Sequence, residues 1–116
     1  MSAAGAGNTT VWGASGDTVQ GADAGGNATI AFGAIHSAET YWDDGNTTSA
    51  GNDTVVNFSQ ATGDRVSVTA SENISTVLGN AHDTASGVQF TLSDGSSITL
   101  VGVTAAQLNS TFFTTH

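Results

Sequence analysis

The chain contains no cysteine, no proline and only one basic residue, Arg65. Without cysteine, neither a disulfide scaffold nor a thiolate zinc site can form. Without proline, the 15 glycines must supply nearly all of the turns. Ten carboxylates against a single base give a formal net charge of −9. Nucleic acid is therefore excluded as a partner, because binding to phosphate needs Lys and Arg. Anionic membrane surfaces are disfavoured for the same reason.

The length of 116 residues suits a single domain, 1–116, with a real but small core. No apolar run approaches the length of a transmembrane helix, so we expect no membrane insertion. Met1–Thr10 lacks both the basic and the apolar stretch of a Sec signal peptide. A secreted destination would need another export route or a longer parent chain.

The acidity points to multivalent cations as counterparts. Hard cations such as calcium prefer oxygen ligands, which carboxylates supply. The alternative is that the negative charge only keeps the chain soluble. Composition alone leaves both interpretations open.

A weak internal repeat occupies residues 1–33. Each unit is a Gly-rich turn that ends in Asn or Asp and is followed by a short β-branched strand. Val11 and Val19 are 8 residues apart, and Val19 and Ile30 are 11 apart, so two units span about 19 residues. This period predicts degenerate solenoid turns in which Ile30 stacks on Val11 and Val19 lies on the opposite wall. The alternative is an antiparallel meander with Gly-rich turns.

Residues 34–50 interrupt the repeat and are expected to form an insertion. Within it, Ala38–Trp42 is a candidate strand, and Asp43-Asp44-Gly45-Asn46 is a turn signal. The pattern resumes over 51–69, where Asp64–Thr69 is predicted to be a strand. The segment Ser71–Thr84 remains ambiguous between helix and irregular structure.

The clearest local prediction is a hairpin over Val88–Val101. A three-residue loop, Ser93-Asp94-Gly95 with Gly95 left-handed, pairs Phe90 with Ile98 and Val88 with Leu100. This register makes one face apolar, whereas a two-residue loop would split the apolar residues between faces. We expect the hairpin to act as a cap with Phe90 buried. Thr104-Ala105-Ala106-Gln107 has capping-box spacing and predicts a short helix through Leu108.

Three segments carry a family resemblance. Gly51-Asn52-Asp53-Thr54-Val55 resembles one turn of the nonapeptide repeat of RTX (hemolysin-type) calcium-binding proteins. Asn57-Phe58 and Gly63–Val68 resemble the segment that commonly closes such arrays. Ser93–Thr104 is similar to the hairpin found near the C-termini of many of these proteins.

The resemblance implies an all-β fold, a right-handed parallel β-roll or β-solenoid with degenerate repeats, capped by the antiparallel hairpin and short helix. It implies a noncatalytic module, secreted or at the cell surface of a bacterium, that binds calcium and is exported by type I secretion machinery. Residues 51–69 are then the RTX-like turn and strands, and residues 70–116 the cap and secretion-signal-like end. The implied calcium ligands are Asp17, Asp53, Asp43, Asp44 and Asp64.

The sequence also departs from the family pattern. It has no full Gly-Gly-x-Gly-x-Asp copy, and Asn8, Asn27 and Asn57 stand where the family has Asp. Each change removes a charged ligand. The alternative to calcium is therefore closure of the turns by Asn side-chain hydrogen bonds.

The remaining candidate residues favour structural roles. His36, His82 and His116 lack metalloprotease spacing and are expected to be isolated surface residues. Trp12, Tyr41 and Trp42 are expected to fill the core; the alternative is a carbohydrate-binding surface. No catalytic motif stands out, so we expect no enzyme. A further hypothesis is a self-associating structural or adhesive extracellular subunit. It would pair with itself or a longer parent chain through open strand edges of the short, Thr- and Gly-rich segment Ser2–Val19.

Overall fold

A computed structural model describes residues 9–12, 16–20, 27–33, 38–42, 51–93 and 95–116. The strands are β1 (Thr9–Trp12), β2 (Thr18–Gln20), β3 (Ala28–Ala31), β4 (Thr40–Trp42), β5 (Asn52–Val56), β6 (Arg65–Val68), β7 (His82–Asp83), β8 (Gly87–Thr91), β9 (Ser97–Val101) and β10 (Phe113–Thr115). One α-helix, α1 (Ile74–Asn80), lies between β6 and β7. Two 3-10 turns, η1 (Gln60–Thr62) and η2 (Ser110–Phe112), precede β6 and β10.

The strands form two sheets. The mixed sheet has six strands in the order β1-β3-β5-β9-β8-β7, and the parallel sheet has four in the order β10-β6-β4-β2. From β1 to β6, successive strands therefore alternate between the two sheets. Such short strands, rich in Thr and Val, fit a pleated surface with one buried face.

The predicted fold class, an all-β right-handed parallel β-roll or β-solenoid, is wrong. The chain forms a compact α/β structure with one α-helix among the described residues. One of its sheets is mixed because β8 runs antiparallel to both β7 and β9. The helix begins in the segment that the sequence left ambiguous. Asn73 accepts a hydrogen bond from the N–H of Thr76 at 3.3 Å as N-cap, and Val77 is buried against the core. The N-cap at Asn73 and the apolar face that includes Val77 therefore stabilise a helix in this segment.

The strand register agrees with part of the repeat analysis. Val11 pairs with Ile30 in parallel, as the 19-residue period predicted, so the antiparallel meander is wrong for these strands. The next pairing, of Ile30 with Val55, spans 25 residues. The repeat period is therefore not maintained after β3.

The β8–β9 hairpin has the predicted register. Phe90 pairs with Ile98 and Val88 pairs with Leu100. Gly95 has φ 89°, a left-handed value that a glycine adopts without strain. Asp94 lies outside the described residues. The hairpin is an integral part of the mixed sheet, because β9 pairs in parallel with β5.

The helix predicted from Thr104 through Leu108 is wrong. Both capping-box hydrogen bonds form: the N–H of Thr104 donates to Oε1 of Gln107 at 3.0 Å, and the N–H of Gln107 donates to Oγ1 of Thr104 at 3.3 Å. The chain makes only a turn, however. The turn does not extend into a helix, because Leu108 is buried and the next turn, η2, begins directly after it. Oδ1 of Asn109 caps η2 by accepting the N–H of Thr111 at 2.9 Å.

The core lies between the sheets and is closed at one end by α1. Phe90 is fully buried, as predicted, and its ring meets that of Phe113 edge-on at 5.4 Å. The rings of Phe32, Phe58 and Phe112 stack in a row, with centroids 6.3 and 5.7 Å apart. The predicted core position of Trp12 is wrong, because its side chain is 74% exposed.

Candidate functional site

Asp53 is a buried connector between the two sheets. Its carboxylate is 5% exposed. Oδ1 accepts the N–H of Ala28 at 3.0 Å, and Oδ2 accepts the hydroxyl of Tyr41 at 2.5 Å. Because Ala28 is in β3 and Tyr41 is in β4, this one side chain joins strands of both sheets.

Asp64 has a similar role on the parallel sheet. It is fully buried just before β6. Oδ1 accepts the N–H of Glu39 at 2.9 Å, and Oδ2 accepts the N–H of Ser59 at 2.8 Å. A buried carboxylate needs such donors, because its desolvation is otherwise costly. Asp64 therefore fixes the turn around η1 against the strand start at β4.

The structure does not gather the predicted calcium ligands into one site within its described ranges. Asp17 is half-buried before β2, and its backbone carbonyl accepts the N–H of Thr40 at 2.9 Å. Asp43 and Asp44 lie outside the described residues. Among the residues that are described, no group of three or more His, Asp or Glu side chains is placed to hold a metal ion. Calcium binding remains a prediction.

Asparagines connect the starts of neighbouring strands, as the departures from the family pattern predicted. Oδ1 of Asn27 accepts the N–H of Asn52 at 2.9 Å, and Oδ1 of Asn52 accepts the hydroxyl of Ser97. Asn57 has φ 64°, a left-handed value that Asn tolerates better than most residues, and its Nδ2 donates to the carbonyl of Phe32 at 2.8 Å. These amides hydrogen-bond neighbouring turns and strands to one another.

The histidines and aromatic residues divide between structure and surface. His36 lies outside the described residues, and His82 is exposed on β7. His116 is not isolated, contrary to the prediction: its ring stacks on Trp42 at 4.1 Å, and its Nδ1 lies 2.8 Å from Oγ of Ser67. Tyr41 is 1% exposed, so it cannot belong to a carbohydrate-binding surface.

A groove with a volume of about 410 Å³ lies between η1 and the turn before η2. Phe58 and Phe112 form its apolar wall. Its amide side chains are engaged within the chain: Nε2 of Gln60 donates to Oγ1 of Thr111 at 3.2 Å, and Oε1 of Gln107 accepts within the capping box. No carboxylate or histidine lines it. The groove therefore offers no acid, base or charged nucleophile for catalysis.

The most distinctive surface is the end of the molecule formed by β1 and β2, here called the open edge. Each strand has a neighbour on one side only in the described part of the chain, β3 for β1 and β4 for β2. A five-residue connection, 13–17, joins them, so the two edges lie at the same end. Neither strand contains a charged residue. An uncharged edge of this kind is a template for strand addition.

The opposite end differs. There α1 packs against β8 and η2 and buries its own residue Val77 against the core. The mixed sheet ends on β7, which has only two residues, both exposed. The parallel sheet ends on β10, whose last residues are held by His116: its N–H donates to the carbonyl of Val68 at 2.9 Å. In the part of the chain that the structure describes, β1 and β2 therefore form the open edge, and the end that carries α1 is here called the covered end.

The open edge was only partly predicted. The sequence analysis named the segment Ser2–Val19 as a surface for association, but it placed Trp12 in the core. The lack of charge in β1 and β2 was the available signal.

The chain matches no family model, no curated protein and no solved structure at a significant level. The resemblance to RTX proteins, with type I secretion and an extracellular location, therefore remains a prediction. Within the described ranges, α1 is far too short to cross a bilayer, and no other helix qualifies.

Proposed function

We propose that this chain is a noncatalytic structural subunit that assembles with further copies of itself through its open edge. The observation that carries the proposal is that both sheets end, at the same end of the molecule, on uncharged strands. An edge strand presents a row of backbone N–H and C=O groups that a second chain can satisfy. Two such strands at one end double the number of backbone hydrogen bonds available to a partner.

The composition of the open edge supports this proposal. Sheets in monomeric proteins protect their edges with Lys, Pro, bulges or inward-pointing charges. The chain has no proline, and its only base, Arg65, is in β6. Ten carboxylates are distributed over the rest of the sequence, yet none falls within β1 or β2. The edge strand β7 carries Asp83, whereas β1 and β2 carry no charge.

Trp12 supports it further. A tryptophan that is 74% exposed on an edge strand is costly to leave in water, and aromatic residues are enriched at the centres of protein interfaces. Its position in β1 places a large apolar ring beside the backbone groups that a partner strand would use.

The proposal is tested by light scattering over a range of concentrations. The parent chain should show mass increasing above the monomer. Thr10→Glu, which adds a charge to β1, and Trp12→Ser, which removes the ring, should each weaken association at least about tenfold, since one hydrogen-bonded or aromatic contact at a hot spot exceeds about 1.4 kcal/mol. Thr114→Glu places the same charge on β10 at the covered end and should leave association unchanged.

Circular dichroism must first establish that each variant is folded, because an unfolded variant would also fail to associate. A parent chain that remains monomeric at the highest attainable concentration contradicts the proposal. So does association that Thr114→Glu weakens as much as Thr10→Glu.

A further inference from the structure

We infer that the partner at the open edge is a single second copy, related by a two-fold axis, so that β1 pairs antiparallel with β1 of the second copy. This inference rests on the proposed function and specifies its geometry. It predicts a closed dimer in place of an open-ended filament.

The arrangement of the two edges favours a two-fold axis. A rotation of 180° about an axis perpendicular to the sheets reverses strand direction and maps each edge strand onto itself in the second copy. Since β1 is the edge strand of the mixed sheet and β2 that of the parallel sheet at the same end, one rotation lets both sheets continue across the seam. The same surface is used by both copies, so the interface is saturated at two.

The exposed side chains of β1 fit this symmetry. Thr10 and Trp12 are both exposed, and residues two apart in a strand point to the same face. In a register centred on Val11, Thr10 lies opposite Trp12 of the second copy. By symmetry, Trp12 lies opposite Thr10 of the second copy on the other side of the axis. Aromatic and β-branched residues are favourable cross-strand partners.

The covered end is a poor partner for the open edge. Beyond the β5–β9 pair, the mixed sheet extends by β8 and β7, whereas the parallel sheet has β10 as its last strand. Helix α1 packs on β8 in the space beside that extension. An end on which one sheet projects beyond the other cannot pair along both edges of a neighbour at once. Head-to-tail growth is therefore disfavoured on shape.

Electrostatics sets the salt dependence of the dimer. Each copy carries a formal charge of −9, and the seam itself contains no charge. The copies therefore repel at long range without any compensating attraction, and dissolved salt screens that repulsion over a Debye length of about 10 Å at 0.1 M. Raising the ionic strength should tighten the dimer several-fold, which is opposite to the effect expected for an interface held by salt bridges.

Distances between spin labels test the geometry. The chain has no cysteine, so Thr29→Cys gives a unique label in β3, one strand inside the seam, where it leaves β1 intact. The two labelled backbones are then three inter-strand spacings apart, about 15 Å at about 4.8 Å per spacing. In a head-to-tail assembly, equal labels are separated by one molecular repeat, and the molecule measures 33 × 29 × 29 Å. Thr114→Cys, at the covered end, serves as the control and should give no short distance in the two-fold dimer.

The outcomes separate the inference from the proposed function. A mass that stops at the dimer together with short Thr29 label distances supports the two-fold dimer. Masses that rise beyond the dimer, or Thr29 labels separated by one molecular repeat, overturn it while the edge-mediated assembly stands. If the chain never associates, or if Thr10→Glu leaves its association unchanged, both the two-fold dimer and the edge-mediated assembly are wrong.

Discussion

The hydroxyl of Tyr41 donates a 2.5 Å hydrogen bond to Asp53 and thereby ties a strand of the parallel sheet to a strand of the mixed sheet. Both side chains are buried, Tyr41 at 1% and Asp53 at 5% exposure. The same carboxylate accepts the N–H of Ala28. Because both groups are shielded from solvent, water cannot readily replace the lost partner of either one. We therefore expect this hydrogen bond to contribute more to stability than an exposed hydrogen bond would.

Tyr41→Phe should lower the free energy of unfolding by about 1–3 kcal/mol, because it leaves a buried acceptor with one donor fewer. Asp53→Asn should cost a similar amount. Urea unfolding of both single variants and the double variant gives their coupling, expected at about 0.5–3 kcal/mol for groups in direct contact. Fully additive losses would show that the two side chains act independently.

Phe90→Ala should destabilise the chain by about 3–5 kcal/mol, the usual cost of removing a buried aromatic ring. Phe90 is fully buried and contacts Phe113, so its loss affects both the hairpin and β10. Since a domain has only about 5–15 kcal/mol in total, much of the protein could unfold. Thr91→Ala, at the exposed neighbouring position, is the matched control and should cost less than about 1 kcal/mol. A melting temperature for Phe90→Ala close to that of the parent would contradict the packing described above.

Two glycines should respond in opposite directions to the same substitution. A Cβ on Gly87 would lie 2.1 Å from the carbonyl oxygen of Leu100, so Gly87→Ala should cost about 1–3 kcal/mol or more. Gly79 is in α1 and has open space around a new Cβ, so Gly79→Ala should stabilise the chain by about 0.5–1 kcal/mol. Thermal unfolding of the two variants in parallel checks the pair. Equal effects of one sign would mean that general helix or strand propensity, and not local space, dominates.

Calcium binding is implied by the family resemblance and can be tested by experiment. A cation bound only by the folded chain should raise the melting temperature in calcium above that in chelator. Asp53 and Asp64 each accept two hydrogen bonds from the protein. Substituting either residue would break contacts within the fold, so Asp17 is the implied ligand chosen for the test. Asp17→Asn should reduce the calcium-dependent shift, whereas Tyr41→Phe should destabilise the chain equally with and without calcium. Equal melting temperatures of the parent in calcium and chelator would remove the calcium hypothesis.

Local patterns were predictable wherever the partners lie close in sequence. The pairing of Phe90 with Ile98 follows from alternation and from a glycine at the left-handed turn position, and the structure confirms it. The capping-box hydrogen bonds of Thr104 and Gln107 were likewise predictable. The helix expected there was not formed, because burial of Leu108 and a second cap at Asn109 compete with helix propagation.

The fold class and the roles of the carboxylates depended on more distant relations. Ala28 and Asp53, and likewise Glu39 and Asp64, are 25 residues apart, and no local rule identifies such pairs. The family resemblance implies that Asp53 and Asp64 are cation ligands, and no local rule indicates that their oxygens accept hydrogen bonds within the chain. The ambiguous segment forms the helix α1 because its apolar face, which includes Val77, packs against β8. That contact depends on a strand that follows later in the chain.

The sequence by itself determined the register of the β8–β9 hairpin, because alternation and turn residues act over a few positions. For Val11 and Ile30 it predicted parallel stacking from the repeat period and left an antiparallel meander as the alternative. Only the tertiary structure decided which strands lie at an edge. That choice leaves Trp12 exposed and buries Tyr41, two aromatic residues with similar sequence surroundings. The physical reason is that exposure depends on a strand's neighbours in the sheet, and those neighbours come from distant parts of the chain.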